Sequence, residues 1–184
     1  MSSLARKEVS ELLEGRGRLI LDAACKLFAE QSFEGTSTAQ IAAAATVAEG
    51  TIYRYFSNKR DLLDAVVAEL IRNTHEGAIS ALSGVSCPKR RVQIFVRNHL
   101  RSIDQDHNAA HLYIREVHGS EAYGQSSSRR MNKQYASTLV QMIKDGQNDG
   151  HFDGASNPYI FRDVIFGSLQ HCAMNFLIDA QRYD

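Results

Sequence analysis

Pro88 and Pro158 are the only prolines in this 184-residue chain, and both stand where a helix is expected to begin. At a first helical turn proline loses only an N–H that would lack an intrahelical partner, whereas inside a helix or a central strand it breaks the hydrogen-bond ladder. Around these two points the apolar residues keep a helical period. One long stretch runs from Arg60 to about Leu82, a second helix starts near Pro88, and a last one starts near Pro158 with Asn157 as its cap. No alternation of apolar and polar residues survives more than a few positions, so the chain is expected to be all-α.

The first third breaks into shorter pieces. Residues 17–30 place Ile20, Ala24, Leu27 and Phe28 on one stripe, and Gly35 suits a left-handed turn after it. Ser37 or Thr38 can cap the next helix, with Gln40 or Ile41 in its first turn. Thr46-Val47-Ala48 is a tight turn, Glu49 to Tyr55 forms another short helix, and Ser57 or Asn58 caps the long one after it. Two short helices about a tight turn, the second carrying aromatic and basic residues, are what a helix-turn-helix reader of DNA requires. Gly50 permits close backbone approach to a base edge. Tyr53 and Tyr55 offer hydroxyls to phosphates. From Gly50 to Arg60 the charged residues are Arg54, Lys59 and Arg60, all cations.

That local bias matters because the whole chain is neutral, with 21 Lys+Arg against 21 Asp+Glu. A neutral chain does not coat nucleic acid indiscriminately, but a compact reading head needs only a few placed cations. Cys25, Cys87 and Cys172 are widely spaced, form no CxxC and suit a reducing cytoplasm. No apolar run approaches the roughly 20 residues of a spanning helix, so no membrane partner is expected. Residues 1–14 carry Glu8, Glu11 and Glu14 without an apolar core, and read as a charged flexible arm rather than a signal peptide. No GxSxG, GxxxxGKS/T or HExxH occurs, so no enzyme and no cofactor is expected. His107, His111 and His118 would share a face of one continuous helix, but Asn108 reads as a cap that leaves His107 outside it, so no metal site is assigned.

The segment 18–67, and within it GTIYRYFSNKRDLL at 50–63, resembles the N-terminal domain of the TetR family of transcriptional regulators. The spacing of Phe28, Gly35, Thr38, Ile41, Ala42, Gly50, Tyr53, Tyr55, Phe56, Lys59 and Leu62 carries the resemblance. It implies a helix-turn-helix domain over 15–60 and a helical effector-binding and dimerisation domain over 61–184. It implies that Thr38 binds a phosphate, that Gly50, Thr51, Tyr53 and Arg54 face the major groove, and that Tyr55 and Lys59 clamp phosphates. Glu49 departs from the basic or neutral residue common there. It can accept from cytosine N4, or serve only the helix dipole.

The resemblance further implies a homodimer on a palindromic operator, joined by the last helices, where Asp163, Phe166, Gly167, Gln170 and Met174 are expected at the interface. A small apolar or amphipathic effector is expected between the body helices, and the chain's end resembles regulators that sense fatty acyl thioesters. Helix phase nominates His99, Ile103, Tyr113, Val117, Tyr135, Leu139, Phe161, Ile165 and Leu169 for the pocket. The expected function is a DNA-binding regulator, a repressor released by its effector. The alternative is a ligand-binding protein of the same fold that does not bind DNA specifically.

Overall fold

The computed structural model describes residues 15–105, 110, 112–115 and 124–179, with side chains described only to residue 176 at the C-terminal end. The arm at 1–14, the histidine trio and Val117 lie outside the described residues. The described residues form helices α1 (Arg16–Gly35), α2 (Thr38–Ala44), α3 (Glu49–Tyr55), α4 (Lys59–Ala81), α5 (Pro88–Gln105), α6 (Ser127–Asn148) and α7 (Pro158–Asp179). Residues 112–115 are also helical, and no strand occurs among the described residues. The fold is all-α, a helix-turn-helix head followed by a helical body.

The local signals act as expected. Ser37 caps α2 through a reciprocal box, its hydroxyl accepting from Gln40 N while Gln40 Oε1 accepts from Ser37 N. Thr46 turns the chain with a φ of 55°. Asn58 caps α4 by accepting from Asp61 N at 2.9 Å, and Asn157 accepts from Tyr159 N at 2.9 Å where α7 begins. Pro88 and Pro158 open α5 and α7. One turn differs from expectation. The left-handed residue near the end of α1 is Ser32 (φ 70°), three residues before Gly35. Thr36 compensates, its buried hydroxyl donating back to Ser32 O at 2.7 Å. Ser126 caps α6, and Asp64 on α4 accepts from the N–H and hydroxyl groups of both Ser127 and Ser128.

In the head, α1 packs on α2 and α3, and their shared core is Ile20, Ala24, Phe28, Ile41, Ile52 and Leu62, all fully buried. Each such large side chain stabilises the fold by about 1.5–3 kcal/mol relative to exposure. Phe56 is buried with them. α4 then leaves the head without a break and becomes the central helix of the body. It lies between α1 on one side and α5 and α6 on the other, and α7 packs on α5 and α6. Tyr135, Leu139, Met142 and Ile143 of α6 all point inward, as their spacing predicts. Continuity of α4 makes a rigid link between whatever happens in the body and the orientation of the head.

Candidate nucleic-acid interface and effector cavity

On the head, α3 is the second helix of the helix-turn-helix, and it buries only Ile52. Glu49, Gly50, Tyr53 and Arg54 are exposed, and Tyr53 keeps 52% of its surface open. Nothing lies within 4 Å of where a Cβ on Gly50 would project, so the backbone there can approach a partner closely. Thr51 is half-buried. Tyr55 is also half-buried, packed against the core and tilted on Phe56.

Thr38, Glu49 and Tyr53 are bonded to one another. Thr38 Oγ1 donates to Glu49 Oε1 at 2.5 Å, and the Tyr53 hydroxyl lies 3.2 Å from the same oxygen. Because the single Thr38 proton is committed to the carboxylate, Tyr53 is the donor in the second bond. Glu49 thus ties the start of α3 to the start of α2, a role its residue type alone does not reveal.

Lys59 is placed differently from a free phosphate clamp. Its ammonium donates to Phe33 O at 2.7 Å and Thr36 O at 2.9 Å, and it sits 4.3 Å from the Phe33 ring centroid. Two of its three protons therefore satisfy carbonyls at the end of α1, and at most one is left for DNA. Arg60 stacks over the same ring at 4.4 Å, and Arg54 remains exposed.

In the body a cavity of about 470 Å³ opens between α4, α5, α6, α7 and the residues Ala110, Tyr113 and Ile114, a size suited to a small-molecule ligand. Leu70, Ile71, Ile103, Ile114, Phe166 and Ala173 give it apolar walls. Arg129, Lys133 and Arg162 add cations, with Asp163 beside Arg162 at 2.8 Å. Of the residues nominated by helix phase, His99, Ile103, Tyr113 and Tyr135 line it. Leu139 and Leu169 are buried core, and Ile165 packs against the core. Phe161 stands away from the cavity on the outer face of α7, 47% exposed.

The residues expected at the dimer interface divide too. Phe166 and Gln170 line the cavity, and Phe166 packs edge-on against Phe95, His99 and Tyr135. Asp163 lines the cavity but is largely exposed. Gly167 and Met174 are exposed, on the same outer face as Ile160 and Val164, which are 62% and 61% open. Both sides of α7 are apolar, so phase alone nominated Phe161 for the pocket, whereas it is Phe166 that lines it. The cavity cations were missed, although Arg129, Asn132, Lys133 and Ala136 share a helix face at spacings of three, four and seven.

A buried aromatic group holds the cavity's polar side. Phe95 stacks on Tyr135 at 4.7 Å, and His99 Nδ1 is 3.1 Å from the Tyr135 hydroxyl. Burial pushes the His99 imidazole down to about 4, so it is neutral at pH 7, and burial likewise raises the Tyr135 phenol. Asn132 donates to the Tyr113 hydroxyl at 3.1 Å. Head and body meet at two further points: Arg115 Nη2 donates to Phe28 O at 2.7 Å, and Arg18 pairs with Glu69 at 2.9 Å. No cluster of three or more potential metal ligands occurs among the described residues, and no described helix is long and apolar enough to cross a membrane.

A helix-turn-helix head carried on a helical body with an internal cavity defines a ligand-responsive DNA-binding regulator. Residues 20–66 match the family model for bacterial regulatory proteins of the tetR family, and residues 65–184 match the model for the C-terminal region of YsiA-like protein. The chain belongs to the TetR family and is a DNA-binding transcriptional regulator. It is 26% identical over 165 residues to the fatty acid metabolism regulator protein of Bacillus subtilis (strain 168), spanning 90% of this chain and 85% of that one. Among solved structures it is similar to FadR from Bacillus subtilis in complex with stearoyl-CoA (TM-score 0.84, 26% identity, 91% and 90% of the two chains). It is also similar to the fatty acid degradation regulator FadR from Bacillus halodurans (TM-score 0.82, 27% identity, 91% and 86%). These relatives are regulators rather than enzymes.

Proposed function

We propose that two copies of this chain hold a palindromic operator and release it when a long-chain acyl thioester of coenzyme A fills the body cavity. The observation that carries this reading is the cavity itself, whose apolar walls suit an acyl chain and whose cations suit the phosphates of the coenzyme. Lys133 is exposed and pairs with no acid among the described residues, so its ammonium is available to an anionic group. The stearoyl-CoA held by the Bacillus subtilis relative supports the same class of effector.

In this reading residues 15–60 form the head, 61–184 the body and 1–14 an arm, in a cytoplasmic protein. Gly50, Thr51, Tyr53 and Arg54 enter the major groove, with Thr38, Tyr55 and the remaining proton of Lys59 on phosphates. On DNA, Thr38 and Tyr53 exchange their mutual bonds for phosphate oxygens, and Glu49 tunes the cost of that exchange. The outer face of α7, with Ile160, Phe161, Val164, Gly167 and Met174, joins the two copies. Effector binding favours a body conformation that spaces the heads wrongly for successive major grooves.

The test is operator binding, followed by fluorescence anisotropy on DNA from upstream of the protein's own gene, with stearoyl-CoA added and with coenzyme A alone as control. The proposal expects tight binding that stearoyl-CoA weakens by about 5–150-fold and coenzyme A leaves unchanged. Equal operator affinity with and without stearoyl-CoA contradicts the effector assignment.

A further inference from the structure

His99 presents a hydrogen-bond donor to the cavity that no group among the described residues uses. Tyr135 is 2% exposed, and among the described residues its hydroxyl has one partner, His99 Nδ1 at 3.1 Å. If Nδ1 carried the proton and donated to the phenol, the phenolic hydrogen would be buried with nothing to accept it. An orphaned buried donor is costly, so the phenol donates to Nδ1. That fixes the tautomer, and the proton of the neutral imidazole sits on Nε2. Nε2 has no partner among the described residues, yet no buried side-chain nitrogen or oxygen among them lacks one. Nε2 is therefore open to the cavity that His99 lines.

The ring is also held in place. It lies nearly parallel to Tyr135 (11°, centroids 5.7 Å apart), and Phe166 meets it edge-on at 5.8 Å. A fixed, neutral N–H in a mostly apolar wall suits a neutral acceptor at one depth of the ligand. A carboxylate or phosphate would find no full charge on this ring.

We propose that His99, oriented by Tyr135, donates from Nε2–H to the thioester carbonyl oxygen of the effector, and so distinguishes an acyl thioester from an alkyl chain of the same length. This rests on the effector being an acyl thioester of coenzyme A. Without the carbonyl the donor is left unpaired in the cavity, which is why a site built around a hydrogen bond rejects a ligand lacking the partner atom.

The experiment compares stearoyl-CoA with its thioether analogue S-octadecyl-CoA, which lacks the carbonyl, by calorimetric titration of the full chain. The wild type is expected to bind the thioester about tenfold more tightly. His99→Leu should bind the two about equally. His99→Gln, whose amide N–H reaches a similar position, should keep part of the preference. Tyr135→Phe releases the tautomer and should reduce the preference with His99 still present. A wild type without preference, or a His99→Leu variant that keeps it in full, overturns the assignment. If His99→Leu does not fold, Tyr135→Phe decides: full retention of the preference overturns the proposal, and its loss supports it. A wild type that binds neither compound overturns the effector class as well, whereas one that binds both equally removes only the role of His99.

Discussion

The Arg115 guanidinium donates to the Phe28 carbonyl at 2.7 Å, across 87 positions of sequence and from body to head. Its neighbours Tyr113 and Ile114 line the cavity, and Leu112 is fully buried. One short helical segment thus touches the effector space on one side and the core helix of the head on the other. A ligand that displaced Tyr113 and Ile114 would therefore be expected to pull on α1 through Arg115.

Arg115→Ala should therefore separate the two binding events. Stearoyl-CoA affinity is expected within about twofold of wild type, while the effect of stearoyl-CoA on operator affinity falls several-fold, out of a typical coupling of about 1–3 kcal/mol. Operator titrations with and without the effector measure it. An unchanged ratio removes Arg115 from the coupling.

Lys59→Ala should destabilise the protein as well as weaken DNA binding. The substitution leaves the Phe33 and Thr36 carbonyls without their ammonium and removes the cation over the Phe33 ring. A loss of about 1–3 kcal/mol is expected in urea unfolding. A variant as stable as wild type would mean that the lysine serves DNA alone. Tyr53→Phe carries a smaller structural load, the exposed bond to Thr38 Oγ1. Its 52%-exposed ring stays in place, and operator affinity should fall about five- to tenfold with stability within about 1 kcal/mol of wild type.

Glu49→Gln removes one negative charge from the surface proposed to meet phosphates. It should tighten DNA binding at low salt and steepen the salt dependence by up to about 0.9 in the log–log slope. An unaltered slope would show that the carboxylate stays out of the phosphate field.

Acid stability follows from His99 and Asp64. The folded His99 resists protonation down to about 4, against an ordinary 6.5. Between these values the unfolded chain binds a proton that the folded one refuses, so stability is complete above pH 6.5 and falls as pH drops towards 4. The loss amounts to about 3 kcal/mol at most. Arg129, Lys133, Arg162 and Asp163 also line the cavity, and among the described residues the His99 ring bonds to Tyr135 rather than to any of them. His75, lowered by burial, adds a change of the same sign. For Asp64 burial pushes the carboxyl up, but the bonds from Ser127 and Ser128 outweigh it and hold the group below 3.8, which adds a further loss at lower pH. Urea unfolding across pH should show His99→Gln with a shallower decline between 6.5 and 4 and an unchanged limb below. An identical decline would contradict a buried neutral imidazole.

The head was legible because its signals are local. Ser37 and Gln40 are three residues apart, Thr46-Val47-Ala48 is contiguous, and Asn58 directly precedes its helix, so each can be read within one turn of chain. Lys59 was not, because its acceptors stand 26 and 23 residues earlier and depend on how α1 ends. The body was legible where a helix has one apolar face, as in α6. On α7, Phe161 and Phe166 look alike in sequence, yet five residues of helix turn them to different sides, one exposed and one against His99. Only the packing of α7 on α5 and α6 decides between them.

The outer face of α7 gives a further expectation. Ile160→Glu combined with Val164→Glu places charges where two copies should meet, and sedimentation should then show monomers with operator affinity reduced at least about a hundredfold. A double variant that remains dimeric moves the interface elsewhere.

The most direct measurement is a footprint of the protein on DNA from upstream of its own gene, repeated with stearoyl-CoA. Protection of a two-fold symmetric site, lost on adding the thioester and kept with coenzyme A alone, is the predicted result. Protection that persists unchanged in saturating thioester, or no protected site at any protein concentration, would contradict it.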